Sequence, residues 1–207
     1  MKESYKQATI DTYNRQAGAF SEKFTAMSAK RAVYLDRFLA VLSGQRVLDI
    51  GAGDGAPAIY LSEKGCSLVC VDLSEAMVEI MKSRGLDARL MDMEKLDFGE
   101  REFDGVLALS SLMNLPKEDL APVISSISRM LKQGGVFGSF ITKGEGEGME
   151  MDERYGALPA GRQGERWFSH YSFVELEEIF TPHFEILVME DSPTPARNWI
   201  FTLCRKR

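Results

Sequence analysis

The feature that most constrains this chain is an alternation. Short apolar runs recur at 47–50, 67–71, 88–91, 103–109 and 136–141, and helical periods stand between most of them. A strand that is apolar on both faces must be covered on both sides, which requires a largely parallel sheet with helices packed above and below it. Right-handed crossovers make such a sheet doubly wound. The predicted fold class is therefore α/β, Rossmann-like and mostly parallel. Beyond a helix at 172–180, two apolar runs at 184–189 and 198–204 follow without a helix between them, which predicts a C-terminal antiparallel hairpin.

The chain of 207 residues suits one domain with a full core. Residues 1–44 read as helix: Tyr13, Ala17 and Phe20 fall at helical spacing, as do Val33, Tyr34, Phe38, Val41 and Leu42. Gly44 is the expected left-handed end of that segment. Pro57 suits the first turn of the helix after the first strand. Ser74 and Glu75 suit the start of the next helix, with Gly85 just past its end. The segment 143–169 is the least regular and reads as a loop rich in glycine and charge.

In a doubly wound sheet a ligand binds beyond the carboxyl ends of the strands, at the point where strand order reverses. The first strand–helix turn, Gly51-Ala52-Gly53-Asp54-Gly55-Ala56, is such a place: without a Cβ, the backbone can approach a ligand closely. Asp72 ends the second strand about 20 residues on, where a carboxylate grips a ribose diol. It equally suits capping of the helix that begins after Ser74. The same turn also fits G-x-G-x-x-A, the dinucleotide fingerprint. Charge separates the two readings. A pyrophosphate needs donors and no nearby anions, whereas Asp49 and Asp54 flank this turn and favour a ligand carrying an amino or sulfonium cation.

These residues resemble the motifs of class I S-adenosylmethionine-dependent methyltransferases, in order and spacing, over about residues 10–142. The run 47–55 is similar to the first motif, 71–74 to the second, 91–93 to the third and 103–109 to the fourth, while 131–137 resembles the turn into the fifth strand. The resemblance implies S-adenosyl-L-methionine as cofactor and S-adenosyl-L-homocysteine as product. It implies that Asp49 with Gly51, Ala52, Gly53 and Gly55 cradles the methionine part and that Asp72 holds the ribose. Leu73 and Met77 would pack near the adenine, although Met77 also suits plain core. Asp92 and the Met93 N–H would read the adenine edge, though Asp92 also suits a surface turn. Leu109 and Ser110 would pass the amino group. The stretch 13–17 resembles the helix that folds over the cofactor in small-molecule members. Tyr13 is its expected contact, and Phe20 stands where members often carry tyrosine.

The implied division is one domain, 1–207: a helical lid over 1–44, a cofactor core over 45–142, an acceptor-side insert over 143–171, and a terminal helix and hairpin over 172–207. Met113, Asn114, Trp167 and Tyr171 are the expected acceptor contacts. His170 is the candidate general base, and a structural histidine is the plainer reading of it. No metal is expected. A net charge of −6 disfavours a nucleic-acid acceptor and leaves a small molecule as the expected one. Three cysteines without ligand or disulfide spacing, no signal segment and no long apolar run predict a cytoplasmic protein. The oligomeric state is not legible. The competing functions are methylation of a protein or RNA, cofactor binding without catalysis, and a dinucleotide oxidoreductase.

Overall fold

The computed structural model describes residues 2–151, 164–192, 194 and 197–207. A long helix, α1 (Lys2–Val41), precedes the repeating units β1 (Arg46–Ile50), α2 (Ala56–Glu63), β2 (Ser67–Asp72), α3 (Glu75–Ser83) and β3 (Asp87–Leu90). Next come β4 (Phe103–Leu109), α4 (Lys117–Met130) and β5 (Leu131–Thr142). The chain ends with β6 (Glu147–Met151), β7 (Glu165–Ser169), α5 (Phe173–Phe180), β8 (Phe184–Asp191) and β9 (Trp199–Lys206).

Seven strands form one sheet in the order β3-β2-β1-β4-β5-β9-β8. The first five are mutually parallel. β9 runs antiparallel to β5 and to β8, so the expected hairpin closes that edge. Side-chain alternation divides the core. Leu48, Ile50, Val69, Val71, Val106 and Ala108 face α4 and α5, where Leu120, Ile124, Leu176 and Phe180 meet them. Val47, Leu68, Cys70 and Leu107 face the other way, against Leu35 and Phe38 of α1 and Leu61 and Met81 of α2 and α3. That is the period-two pattern of a sheet buried on both faces.

Local chemistry sets the element ends. Ser74 caps α3 by accepting from the Met77 N–H at 3.3 Å, a contribution of about 1 kcal/mol. Ser172 and Glu175 form a reciprocal capping box on α5. Two expectations need correction. Gly44 is not a left-handed helix end, being absent from the positive-φ positions. Its need is space: an added Cβ would lie 2.2 Å from Cγ of Asp104, whose carboxylate accepts from the Gln45 and Arg46 N–H groups.

The second correction concerns 143–169. It is not a loop throughout: β6 and β7 pair antiparallel as a separate two-stranded sheet. The strands escape periodicity because their sides carry the wrong residues. β6 exposes Met149 and Met151, and β7 buries Arg166 beside Phe168. Inward charge and outward methionine invert the usual signal. The middle of the expected insert, 152–163, lies outside the described residues.

Candidate functional site

β1 pairs with β2 on one side and β4 on the other, so strand order reverses between β1 and β4. The crevice opens there, beyond the strand ends, and α1 and β7 close it from above. Its floor begins with the glycine turn. Gly51 has φ +64°, and an added Cβ would sit 2.3 Å from Cβ of Ser111. Gly55 has φ +77° and would meet Leu86 at 2.3 Å. Both positions combine a left-handed backbone with close approach, so no other residue type fits without rearrangement. The Gly51 and Ala52 N–H groups donate to the Val71 carbonyl at 2.8 and 3.1 Å, which ties the turn to β2.

Three carboxylates around this turn differ in what they do. Asp49, next to last in β1, is 1% exposed, and its Oδ2 has no hydrogen-bond partner among the described residues. Burial, reinforced by the nearby Asp72, pushes its pKa up to about 7, against a smaller opposing pull from Arg31. Asp72 accepts from the Gly53 N–H and the Ser74 N–H, each at 2.9 Å. Burial raises it to about 6, and those backbone donors hold it from rising further. Asp54 is fully buried and paired with Arg84 at 2.7 Å, and it also accepts from Ser21. Its charge is locally compensated. Asp49, far more than Asp54, therefore opposes a bound pyrophosphate.

The wall continues through Leu73, Met91, Asp92 and Met93 on one side and through Leu109, Ser110, Met113 and Asn114 on the other. Ser110 takes φ +64°, rare for a side-chain-bearing residue, and its Oγ accepts from Arg31 at 3.1 Å. Asp92 accepts from the Glu94 N–H at 3.0 Å and pairs with Lys6 of α1 at 2.8 Å. Lys6 also pairs with Glu94. Tyr13 lines the crevice from α1. Its hydroxyl donates to Asn114 Oδ1 at 3.3 Å and accepts from Arg166 at 2.5 Å. Asn114 in turn donates to the Trp167 carbonyl at 2.6 Å, so its amide is engaged on both sides although it stands on the wall.

Four expected site residues lie elsewhere. Met77 packs against Ala17 and Phe20 beneath α1, a core role that follows from its inward side of α3. Trp167 anchors the start of α1: its ring lies 4.9 Å from that of Tyr5, and its backbone N–H donates to Thr9 Oγ1 at 3.0 Å. Tyr171 is 1% exposed in the main core, where burial raises its phenol pKa. His170 leaves the crevice altogether and bonds Glu150 at 2.5 Å, with Arg197 on the other Glu150 oxygen at 3.0 Å. Strand alternation explains Trp167, which faces away from Arg166 on β7, whereas His170 and Tyr171 lie beyond that strand, where the Tyr171 N–H donates to the Thr142 carbonyl at 2.9 Å and ties the chain to β5. Sequence reasoning missed Arg31, Lys6 and Arg166, all on the wall. A lone basic residue on a helix or short strand carries no local signal of such a role.

Fold and crevice together define a doubly wound α/β domain with a ligand site at the β1/β4 switch point. Residues 47–135 match a family model described as a methyltransferase domain. An uncharacterized methyltransferase of Synechocystis sp. is 36% identical over 101 residues, 48% of either chain. The sterol 24-C-methyltransferase of Schizosaccharomyces pombe is 30% identical over 151 residues, 69% of this chain and 38% of that one. The chain thus spans about half or less of the length of these curated relatives. The fold is similar to that of magnesium protoporphyrin IX methyltransferase from Synechocystis PCC 6803 with bound S-adenosylhomocysteine. The TM-score is 0.73 at 16% identity, over 98% of this chain and 100% of the other. Residues 47–135 are thus similar to the methyltransferase domain family, and the chain has the fold of the class I S-adenosylmethionine-dependent methyltransferases.

Proposed function

We propose that this protein transfers the methyl group of S-adenosylmethionine to a small-molecule acceptor in the cytoplasm. One observation carries the cofactor side of the reading: a buried carboxylate, Asp49, whose Oδ2 lacks a partner among the described residues beside a turn that only glycine can form. A group of that kind suits a cationic ligand and opposes a phosphate. In this reading Asp49 and the main chain of Gly51, Ala52, Gly53 and Gly55 hold the methionine part. Arg31 stands on the same wall as a candidate partner for its carboxylate. Asp72 holds the ribose diol, Leu73 packs on the base, and Asp92 with Met93 reads its edge. Leu109 and Ser110 flank the amino group.

The sulfonium supplies an already activated methyl carbon, so the protein's own task is to align and to exclude water. Tyr13 and the rest of α1 act as the lid over 1–44. The segment 143–171, through Arg166, and the turn after β4, through Met113 and Asn114, shape the acceptor end. His170 takes no part in proton transfer. Relatives support a small acceptor by their names, which specify sterols and magnesium protoporphyrin. So does the acidic balance of −6.

The test is a melting-temperature series with S-adenosylmethionine, S-adenosylhomocysteine and NADH. A ligand at 100 times its dissociation constant adds about 2.7 kcal/mol, on the order of 5–10 °C here. The two sulfur ligands are expected to shift the wild type, and Asp72→Ala is expected to lose the shift. A response to NADH alone would sink the reading. Release of S-adenosylhomocysteine on turnover with a cell metabolite extract then separates catalysis from binding without transfer.

A further inference from the structure

We infer that the methyl acceptor is an aromatic amine and that the side-chain oxygen of Asn114 holds one of its N–H groups. The inference deepens the proposed function and rests on it, because it needs the methyl donor on the floor of the same crevice. Asn114 ends the short turn after β4. Its backbone N–H donates to the Ser111 carbonyl at 2.9 Å, and the Ser111 hydroxyl donates to the Ile50 carbonyl at 2.7 Å. The turn is thereby bonded to the end of β1, where the glycine turn begins. Asn114 is half-buried and stands on the crevice wall between Met113 and Leu115.

The partners of the amide fix which way it faces. A carbonyl oxygen only accepts, so the Asn114 NH2 group must face Trp167, to whose carbonyl it donates at 2.6 Å. The amide oxygen is then turned towards Tyr13 on the wall. It has two lone pairs. The Tyr13 hydroxyl donates to it at 3.3 Å, long for a bond between two oxygens, so the oxygen keeps capacity for a further donor.

That chemistry selects the nucleophile. An amide oxygen accepts a hydrogen bond but takes no proton at neutral pH, so a nucleophile held there keeps its hydrogen while it attacks. The carboxylates on the wall, Asp49, Asp54, Asp72 and Asp92, all belong to the floor. A neutral amine needs no base: its nitrogen lone pair forms the C–N bond as the C–S bond breaks, and that electron pair goes to sulfur. The nitrogen leaves as an ammonium and gives its proton to water. A neutral hydroxyl would have to become an oxonium, and an ionised one has no hydrogen to offer. An alkylamine is protonated at neutral pH and has no lone pair free, whereas an amine conjugated to a ring is unprotonated. The adjoining wall of Ile10, Leu35, Met113, Leu115 and Trp199 is apolar or aromatic, which suits such a ring.

The experiment uses sets of matched shape: aniline, phenol and toluene, and 6-aminoquinoline, 6-hydroxyquinoline and 6-methylquinoline. Each is titrated into the whole protein with and without saturating S-adenosylhomocysteine, and turnover with S-adenosylmethionine is read by mass spectrometry. The wild type is expected to bind at least one amine roughly fivefold more tightly than its methyl analogue, the size of one neutral hydrogen bond. It is expected to methylate that amine on nitrogen roughly tenfold or more faster than the matching hydroxyl compound on oxygen. Asn114→Ala is expected to abolish the preference of amine over methyl analogue while keeping the S-adenosylhomocysteine shift. Asn114→Asp covers the case in which Asn114→Ala does not fold. Its carboxylate can take a proton, so turnover of the hydroxyl compound is expected to rise about tenfold relative to the amine. No amine preference in the wild type, an undiminished preference in Asn114→Ala, or an unchanged turnover ratio in Asn114→Asp overturns the inference. So does methylation of the hydroxyl compounds with the amines left unmodified. A missing S-adenosylhomocysteine shift counts against the cofactor reading instead, because the amine preference in binding is read in both conditions.

Discussion

The floor and the cover of the crevice are held by different physics. The floor, from β1 to the end of β4, is fixed by backbone geometry: left-handed glycines, main-chain bonds from the turn to Val71, and a carboxylate, Asp72, anchored on N–H groups. The cover is fixed by side chains that meet across great sequence distance. Thr12 donates to the Glu165 carbonyl at 3.0 Å, Arg166 to Tyr13, and Asn114 to the Trp167 carbonyl. A backbone device tolerates almost no substitution but leaves a short, readable motif. A side-chain circuit can be retuned one residue at a time, which suits the half of a transferase that must recognise an acceptor.

The sharpest way to break this contrast is Gly51→Val. A β-branched residue at φ +64° is strained, and its Cβ would overlap Ser111. Strain and overpacking together cost about 3–5 kcal/mol, a fall in melting temperature on the order of 10 °C. Loss of the S-adenosylhomocysteine shift should accompany it. A variant that melts and binds like the wild type would remove the claim that the floor is a backbone device.

Asp49→Asn is next in size, and pH gives it a sign. The folded pKa of about 7 lies above the ordinary value of 3.8, so the folded protein holds a proton that the unfolded chain releases. The stability from that proton is present below pH 4 and is lost as pH rises through 7. Asn copies the protonated form. The ligand-free variant should therefore melt higher than wild type at pH 8, by a few degrees, and about level with it at pH 4. Cofactor binding runs the opposite way. A cation favours the ionised carboxylate, so wild-type affinity should rise from pH 6 to 8, and Asp49→Asn should lose about 10–100-fold at pH 8. Titration calorimetry at the two pH values decides it, and a flat wild-type profile would sink the assignment.

The same contrast explains what could be read from the chain. β1 to β5, the capped start of α3 and the glycine turn were legible because each rests on local periodicity or on one residue type at one place. The C-terminal hairpin was legible from two apolar runs without a helix between them. β6 and β7 were not, since Arg166 faces inward and Met149 and Met151 face out. Trp167, His170 and Tyr171 were expected near the acceptor because they are chemically capable and close in sequence to the insert. Only the register of β7 against β6 and its packing on α1 reveals that Arg166 faces the crevice in their place. Asn114 was found, but not its engagement with Tyr13 and Trp167, residues 101 and 53 positions away.

Asn114→Ala probes the cover more gently. It removes the shared partner of Tyr13 and β7, so lid and insert lose one connection while the floor is untouched. A neutral hydrogen bond is worth about 1 kcal/mol, so acceptor KM should rise roughly three- to tenfold. S-adenosylhomocysteine affinity should change less than twofold. An equal loss of both would mean that cover and floor are one cooperative unit and that the contrast drawn here is false.

The smallest effect is expected at His170. Its ring bonds Glu150, stacks on Phe168 at 6.3 Å and packs against Gly144, all behind the crevice wall. It joins β6 to the segment before β9 through the Arg197 contact on the same carboxylate. A general base must reach the proton it takes, directly or through one water. His170→Ala should therefore leave kcat and its pH profile within twofold of wild type. It should lower the melting temperature by only a few degrees, because a partly exposed side-chain hydrogen bond contributes about 1 kcal/mol or less. If the variant instead lost most of its kcat, proton transfer would run through the insert. Acceptor chemistry would then be coupled to the Glu150–Arg197 cluster rather than set by alignment on the floor.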